Sequence, residues 1–153
     1  VHLIIRPAEG LRNYRLAIDT EAVEVRCSLK YGQRLVARLS GFGETWERKG
    51  EGAEVVLRLA PDPVRLWSPE TPHLYTLELD VHAADGGLID RVSQRVGLRS
   101  IAVEGTQVLL NGAPYVLKGF GKHEDSPIHG RGLNGPQMIK DFRLLKWCGA
   151  NSV

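Results

Sequence analysis

The sequence predicts a mainly β protein: an immunoglobulin-like β-sandwich over residues 1–100, followed over residues 101–153 by the incomplete first β-α unit of a (β/α)8 (TIM) barrel. Short apolar stretches with period-2 alternation recur through the first hundred residues, as in the strands of two packed antiparallel sheets. An amphipathic helical pattern comes only after them. About 50 residues remain for a barrel that needs about 250, so we expect the second domain to be incomplete.

Alternating apolar and polar side chains predict the strands of the sandwich. Residues 23–28 and 75–81 alternate in this way, and Asp85-Gly86-Gly87 then supplies a typical hairpin turn. Further apolar stretches bring the total to about seven or eight strands. They span residues 1–5, 14–18, 35–39, 55–59 and 88–98.

A proline-containing connector separates two of the predicted strands. Pro69 and Pro72 fix φ and favour extended conformations in the residues before them. Trp67 and Tyr75 stand at the two ends of the connector, where we expect them to be large apolar anchors of the core. A carbohydrate-binding aromatic platform is the alternative interpretation of Trp67.

The pattern changes near Ile101. Short strands are predicted around Val103 and over residues 108–110 and 115–117, with Asn111-Gly112 as a tight turn. A loop that contains Gly and His follows the last of these strands. Strand, loop, amphipathic helix and the start of a new strand together make the opening of a parallel β-α-β unit.

The helix is predicted between Asn134 and Gly149. Asn134 is placed to cap it, Pro136 suits its first turn, and Gly149 is a good stop. Apolar residues recur at i, i+4 and i+7 along it, as expected for a buried face: Met138, Phe142 and Leu145.

The loop after residues 115–117 holds the densest group of titratable side chains, at the strand end where barrel enzymes carry their functional groups. A role for His123 as donor or acceptor to a sugar hydroxyl is compatible with this strand-end position. Glu124 and Asp125 as a glycosidase acid pair are disfavoured, because neighbours in an extended segment point to opposite sides. A metal site of His123, Glu124 and His129 fits no usual ligand spacing. Local backbone capping is the remaining alternative for these side chains.

Composition excludes several classes of function. The formal net charge is only +2, with both signs interspersed, so no nucleic-acid partner is expected. No apolar run approaches the roughly 20 residues that cross a bilayer, so no membrane partner is expected. Cys27 falls on the apolar face of its strand and is predicted to be an inert core thiol, and Cys148 is predicted to pack rather than react. No cofactor or metal is predicted.

The two ends of the chain favour an excised segment. Val1 is not an initiator methionine, no leader follows it, and the chain stops as a new apolar stretch begins after Gly149. We therefore expect the remaining domains of a parent chain as partners and a cytoplasmic location. The apolar helix face would lack its barrel neighbours. The tail is accordingly expected to be mobile, to pack back on the sandwich, or to pair with a second copy as a homo-oligomer.

Three stretches in this order resemble family-2 glycoside hydrolases, most closely the β-glucuronidases. The first is the connector Trp67-Ser68-Pro69 through Pro72-His73-Leu74-Tyr75, and the second is Val96-Gly97-Leu98-Arg99-Ser100-Ile101 followed by Leu110-Asn111-Gly112-Ala113-Pro114. The third is Gly121-Lys122-His123-Glu124-Asp125 with Gly130, Asp141-Phe142, Leu144-Leu145 and Gly149-Ala150-Asn151. Lys122 before His-Glu-Asp favours a glucuronidase, because the related β-galactosidases tend to carry Asn-Arg there.

The resemblance implies a parent enzyme that hydrolyses a β-glycoside substrate with retention, by double displacement through two glutamates and without a cofactor. Both glutamates would lie on later barrel strands, so we expect no catalytic residue in this chain and no activity from it alone. His123, with Glu124 and Asp125, is the expected contribution to substrate binding. Two alternatives stay open: a stand-alone β-sandwich for binding or scaffolding, and the same family acting on a β-galactoside or β-mannoside.

Overall fold

The computed structural model describes residue 11 and residues 13–123, 125–126, 128, 130–132 and 134–153. The chain divides into two compact units, with the boundary between Ser100 and Ile101. The strand predicted over residues 1–5 lies outside the described residues. Within those residues the first unit has seven strands: β1 (Tyr14–Ile18), β2 (Val23–Ser28), β3 (Arg34–Gly41), β4 (Glu44–Glu51), β5 (Glu54–Leu59), β6 (Tyr75–His82) and β7 (Leu88–Val96).

The seven strands form two antiparallel sheets. One sheet has the order β1-β2-β5 and the other has the order β4-β3-β6-β7. The alternating residues of β2, β3 and β6 supply one shared hydrophobic core, in which Val25, Leu39 and Leu77 are fully buried. Burying one face of each sheet against the other is the sandwich arrangement, so the predicted fold of this region is confirmed. Cys27 belongs to the same core, and burial raises the pKa of its thiol, as expected for an inert cysteine.

Strand β4 was not predicted from the sequence. Five of its eight residues are charged, and only Trp46 gives it a large apolar side chain on the core side. Gly50 lets β4 pack closely against Val55, because a Cβ at this position would lie 2.5 Å from Cγ1 of Val55. The strand pairs with β3 alone and lies at a sheet edge, where backbone pairing needs little apolar alternation.

Tyr75 is an anchor of the sandwich core, as predicted, whereas Trp67 is not among the described side chains that pack against that core. Tyr75 is fully buried, its hydroxyl accepts a hydrogen bond of 2.8 Å from the N–H of Arg65, and its ring fills the space that a Cβ at Gly41 would take. Trp67 is half-buried, and the guanidinium of Arg99 lies 4.7 Å from the centre of its ring. This cover counts against an open carbohydrate platform at Trp67.

Asp80 is buried on the outer face of the four-stranded sheet and is held by two arginines. Its carboxylate accepts hydrogen bonds of 2.6 and 2.7 Å from Arg91, its cross-strand neighbour, and of 2.6 Å from Arg38. Arg38 in turn contacts Glu47 of β4 at 2.6 Å. The resulting network of ion pairs has one residue on each of the four strands. The hydrogen bonds from Arg91 and Arg38 outweigh burial and lower the pKa of Asp80 to about 2.

The second unit contains short strands and one helix among its described residues. Strands β8 (Ile101–Glu104), β9 (Gln107–Leu110) and β10 (Ala113–Pro114) form an antiparallel sheet, and β11 (Asp125–Ser126) pairs with β12 (Gly130–Arg131). The predicted strand over residues 115–117 is wrong, because no strand forms there. Parallel pairing begins instead as an isolated bridge between Gly119 and Ser152.

The helix α1 (Gly135–Trp147) begins and ends as predicted. The side chain of Asn134 caps it by accepting a hydrogen bond of 3.1 Å from the N–H of Gln137, and Gly149 follows it with φ of 81°. Its apolar stripe is not buried, since Met138 and Phe142 are 38% and 46% exposed. Cys148, predicted to pack, is exposed. No helix in the described part of the chain is long and apolar enough to span a bilayer.

Candidate functional site

The predicted site loop begins at residues that Asn151 holds in place. The side-chain amide of Asn151 accepts a hydrogen bond of 2.7 Å from the N–H of Lys118 and donates one of 2.8 Å to the carbonyl of Val116. Its backbone N–H adds a bond of 2.9 Å to the carbonyl of Lys118. One side chain thus satisfies the carbonyl of Val116 and the N–H of Lys118, beside residues 115–117, where no strand ladder forms.

Lys122 links the next part of the loop to the helix. Its ammonium lies 2.9 Å from Oδ2 of Asp141 on α1, and both side chains are largely buried, with 23% and 26% of their surface exposed. The other carboxylate oxygen of Asp141 accepts a hydrogen bond of 2.7 Å from Gln137, one helical turn earlier. The bonds from Lys122 and then Gln137 hold the pKa of Asp141 below its ordinary value.

His123, the principal predicted binding residue, directly follows this link. Its imidazole is exposed to solvent, and its backbone carbonyl is 3.4 Å from Nζ of Lys122. An exposed neutral imidazole has one donor and one acceptor nitrogen, which suits a ligand hydroxyl that also donates and accepts. The position and chemistry of His123 are therefore compatible with sugar binding.

Asp125, the third predicted site residue, faces a different partner. It lies in β11 opposite Arg131 of β12, whose Nε is 3.0 Å from its carboxylate. Both side chains are well exposed, so this pair contributes little to stability. Glu124 and His129 lie outside the described residues, and the acid-pair and metal-site hypotheses that involve them stay predictions. The structure thus places His123 and Asp125 on one loop but does not bring their side chains together.

A cavity of about 440 Å³ lies between this loop and α1. Its lining combines one cation, two carboxylates and a hydroxyl with the apolar face of the helix, and it includes Lys122, Asp125, Ser126, Met138, Asp141 and Phe142. His123 is not part of this lining. Among the described residues, no three His, Cys, Asp or Glu side chains come together as metal ligands.

Sequence reasoning did not assign a role to Asn151 or to the Lys122–Asp141 pair. Both residues of the pair, and Asn151, stand in the motifs that carry the family resemblance. The helical spacing of Gln137 and Asp141 also predicts that their side chains can meet. A link between residues 19 positions apart in the chain, however, depends on how the loop folds back on the helix, which no local pattern specifies.

Comparisons with known proteins identify both parts of the chain. Residues 18–99 match the family model described as glycosyl hydrolases family 2, which accounts for more than half of the chain. Residues 101–153 match the model for the TIM barrel domain of the same family. The two matches follow each other in the order that the motifs predict.

Individual relatives are β-glucuronidases. The enzyme named β-glucuronidase from Paenibacillus borealis is 41% identical over 128 residues, which are 84% of this chain and 21% of that protein. The solved structure of β-glucuronidase from Ruminococcus gnavus in complex with D-glucuronic acid is 34% identical and superimposes with a TM-score of 0.76. That match covers 95% of this chain and 25% of the solved chain, and the unliganded 1.7 Å structure of the same enzyme matches equally well.

The chain therefore spans about a fifth to a quarter of the length of these relatives. The matches confirm the predicted immunoglobulin-like sandwich followed by the start of a TIM barrel. They also confirm the resemblance that the motifs around Trp67, Arg99 and His123 indicate. This chain belongs to family 2 of the glycosyl hydrolases.

Proposed function

We propose that this chain supplies the sandwich domain and the first β-α unit of the barrel to a β-glucuronidase that cleaves its substrate with retention. The observation that carries the proposal is the ordered match of both parts to one glycosidase family, with relatives named β-glucuronidase at 41% and 34% identity. The substrate would be a β-glucuronide, and the bond cleaved would be its O-glycosidic bond. No cofactor is required for this reaction class.

In this proposal the chain binds substrate and does not break the bond. Retaining glycosidases use two carboxyl groups about 5–5.5 Å apart, one as acid and base and one as nucleophile. Asp125 is a poor candidate for either role, because its carboxylate is paired with Arg131. The family resemblance assigns both roles to glutamates beyond this segment, so the 153 residues alone should be inactive.

His123 is the proposed contact with the sugar. Its exposed imidazole follows the parallel bridge between Gly119 and Ser152, and a neutral imidazole can donate to one sugar hydroxyl and accept from another. Losing such contacts in the transition state costs about 10- to 100-fold in kcat/KM.

The experiment uses the full-length protein that contains this chain. Hydrolysis of an aryl β-glucuronide is measured beside the β-galactoside and the β-mannoside, which test the alternative substrates. His123→Ala should lower kcat/KM for the preferred glycoside by about 10- to 100-fold. His82→Ala is the matched control, because this histidine contacts the Gly86 carbonyl within a hairpin of the sandwich. Equal effects of the two substitutions, or a wild-type protein that cleaves none of the three glycosides, would contradict the proposal.

A further inference from the structure

The ammonium of Lys122 makes two contacts at once. It pairs with Asp141 at 2.9 Å and lies 3.4 Å from the backbone carbonyl of His123. A cation that binds both a helix carboxylate and a loop carbonyl connects the helix to the backbone of the proposed sugar-binding residue. Lys122 thus contacts both α1 and the backbone of His123.

This link is better protected than the other ion pair of the same loop. The side chains of Lys122 and Asp141 are 23% and 26% exposed, whereas those of Arg131 and Asp125 are 88% and 58% exposed. Screening by water and salt is weaker for the less exposed pair, so its geometry is held more firmly. Gln137 holds the free oxygen of Asp141 at 2.7 Å and so orients the carboxylate toward the loop.

The segment before His123 is fixed at its other end as well. Asn151 bonds to Val116 and Lys118, and Gly119 bridges to Ser152. Close packing limits the space at this bridge, because a Cβ on Gly119 would lie 2.6 Å from Oγ of Ser152. With the backbone held at residues 116–119, the Lys122–Asp141 pair is the next contact to α1 before His123 in the described part of the chain.

We propose that Lys122 and Asp141 form a positioning pair, in which Asp141 holds Lys122 and Lys122 fixes the backbone of His123 for substrate binding. The inference rests on the proposed function of His123. Both residues act through His123, so the loss of either has the same consequence. A lysine that instead bound the carboxylate of the substrate directly would work without Asp141, and freeing it would not weaken binding.

The test measures kcat/KM for the full-length protein on an aryl β-glucuronide, per active site titrated with a mechanism-based inhibitor. Lys122→Met and Asp141→Asn should each lower kcat/KM by about 5- to 20-fold. The double variant should have the same kcat/KM as the less active of the two single variants. Lys122→Arg should stay within about 3-fold of wild type, because its guanidinium can keep both contacts. Lys146→Met, an exposed substitution in the last turn of the same helix, is the matched control and should have no effect.

Three outcomes would overturn the inference. If Asp141→Asn keeps the wild-type kcat/KM while Lys122→Met loses activity, the lysine acts on the substrate without Asp141. Additive losses in the double variant would mean that the two residues act separately. An unchanged kcat/KM per active site, with only a lower melting temperature, would mean that the pair has a purely structural role.

A second measurement keeps the inference separable from the proposed function. Should the wild type cleave no glycoside, the proposed function fails, and hydrogen exchange of the peptide over residues 118–126 still tests the pair. Exchange should be faster in Lys122→Met and in Asp141→Asn than in wild type, and unchanged in Lys146→Met. Wild-type exchange rates in the first two variants would contradict a positioning role.

Discussion

The sandwich and the barrel start carry similar apolar patterns but bury them to very different extents. In the sandwich, the alternating residues of β2, β3 and β6 lie in a shared core and are almost completely buried. In residues 101–153, no described hydrophobic side chain is buried, and the apolar stripe of α1 faces solvent. An amphipathic element is buried only where a second layer covers it, and only the sandwich has both layers within the described chain.

The comparison is tested most strongly by a matched pair of leucine truncations. Leu77 is fully buried in β6 and Leu144 is about half exposed on α1. In the 153-residue chain, Leu77→Ala should lower the free energy of unfolding by about 2–5 kcal/mol, because it removes buried surface and leaves a cavity. Leu144→Ala should change it by less than about 0.5 kcal/mol. Urea denaturation measures both values, and equal losses would refute the difference between the two regions.

A second large effect is expected at the buried carboxylate of the sandwich. Asp80→Asn leaves Arg38 and Arg91 without their common anion, which should cost about 3 kcal/mol at pH 7. Glu44→Gln, which removes an exposed carboxylate of the same sheet, is the control and should cost less than about 0.5 kcal/mol. An equal decrease of the urea denaturation midpoint in the two variants would show that burial of the ion pair is unimportant.

Asp80 also predicts how stability depends on pH. Its pKa is lowered from 3.8 to about 2 in the folded protein, so its stabilising contribution is fully present above about pH 4 and is lost as the pH falls toward 2. The difference in unfolding free energy between wild type and Asp80→Asn should therefore narrow by about 2 kcal/mol between pH 5 and pH 2. A difference that stays constant over this range would contradict the shifted pKa.

A smaller effect contrasts two glycines, one from each region. A Cβ at Gly41 would lie 2.7 Å from the buried ring of Tyr75, whereas a Cβ at Gly121 would meet nothing within 4 Å. Gly41→Ala should lower the unfolding free energy by about 1–3 kcal/mol through overpacking. Gly121→Ala should leave the denaturation midpoint unchanged. A tolerated Gly41→Ala would mean that the ring can move, and that the core is looser than its burial indicates.

The smallest expected effect concerns the helix alone. Asn134→Ala removes the cap that accepts from the N–H of Gln137 and should destabilise α1 locally by about 1 kcal/mol. The measurement is amide exchange over residues 135–147, with Lys140→Ala as a control in the exposed part of the helix. The denaturation midpoint of the sandwich should not move. A shift of that midpoint with the cap would show that the two regions unfold together.

The sequence predicted those features of this chain that local patterns determine. The alternation over β2 and β6, the cap at Asn134 and the stop at Gly149 all depend on near neighbours in the chain, and the structure has each of them. Strand β4 was missed, because an edge strand with charged residues lacks the alternation that reveals a buried strand.

The candidate site was only partly predictable for a related reason. His123 and Asp125 are visible as titratable residues in a strand-end loop, but their partners are not. Contacts such as Asn151 with Lys118, or Lys122 with Asp141, join residues far apart in sequence. The period of α1 shows which face of the helix is apolar but not whether anything covers it, and the exposed stripe agrees with the expectation that its barrel neighbours are lacking.

Hydrogen exchange on the dilute 153-residue chain tests the central claim most directly. If the sandwich holds its own core and the barrel start does not, amides of β3 and β6 should exchange only through global unfolding. Amides of α1 should then exchange much faster, through local opening. Protection of α1 equal to that of β6, in a protein shown to be monomeric, would contradict the account.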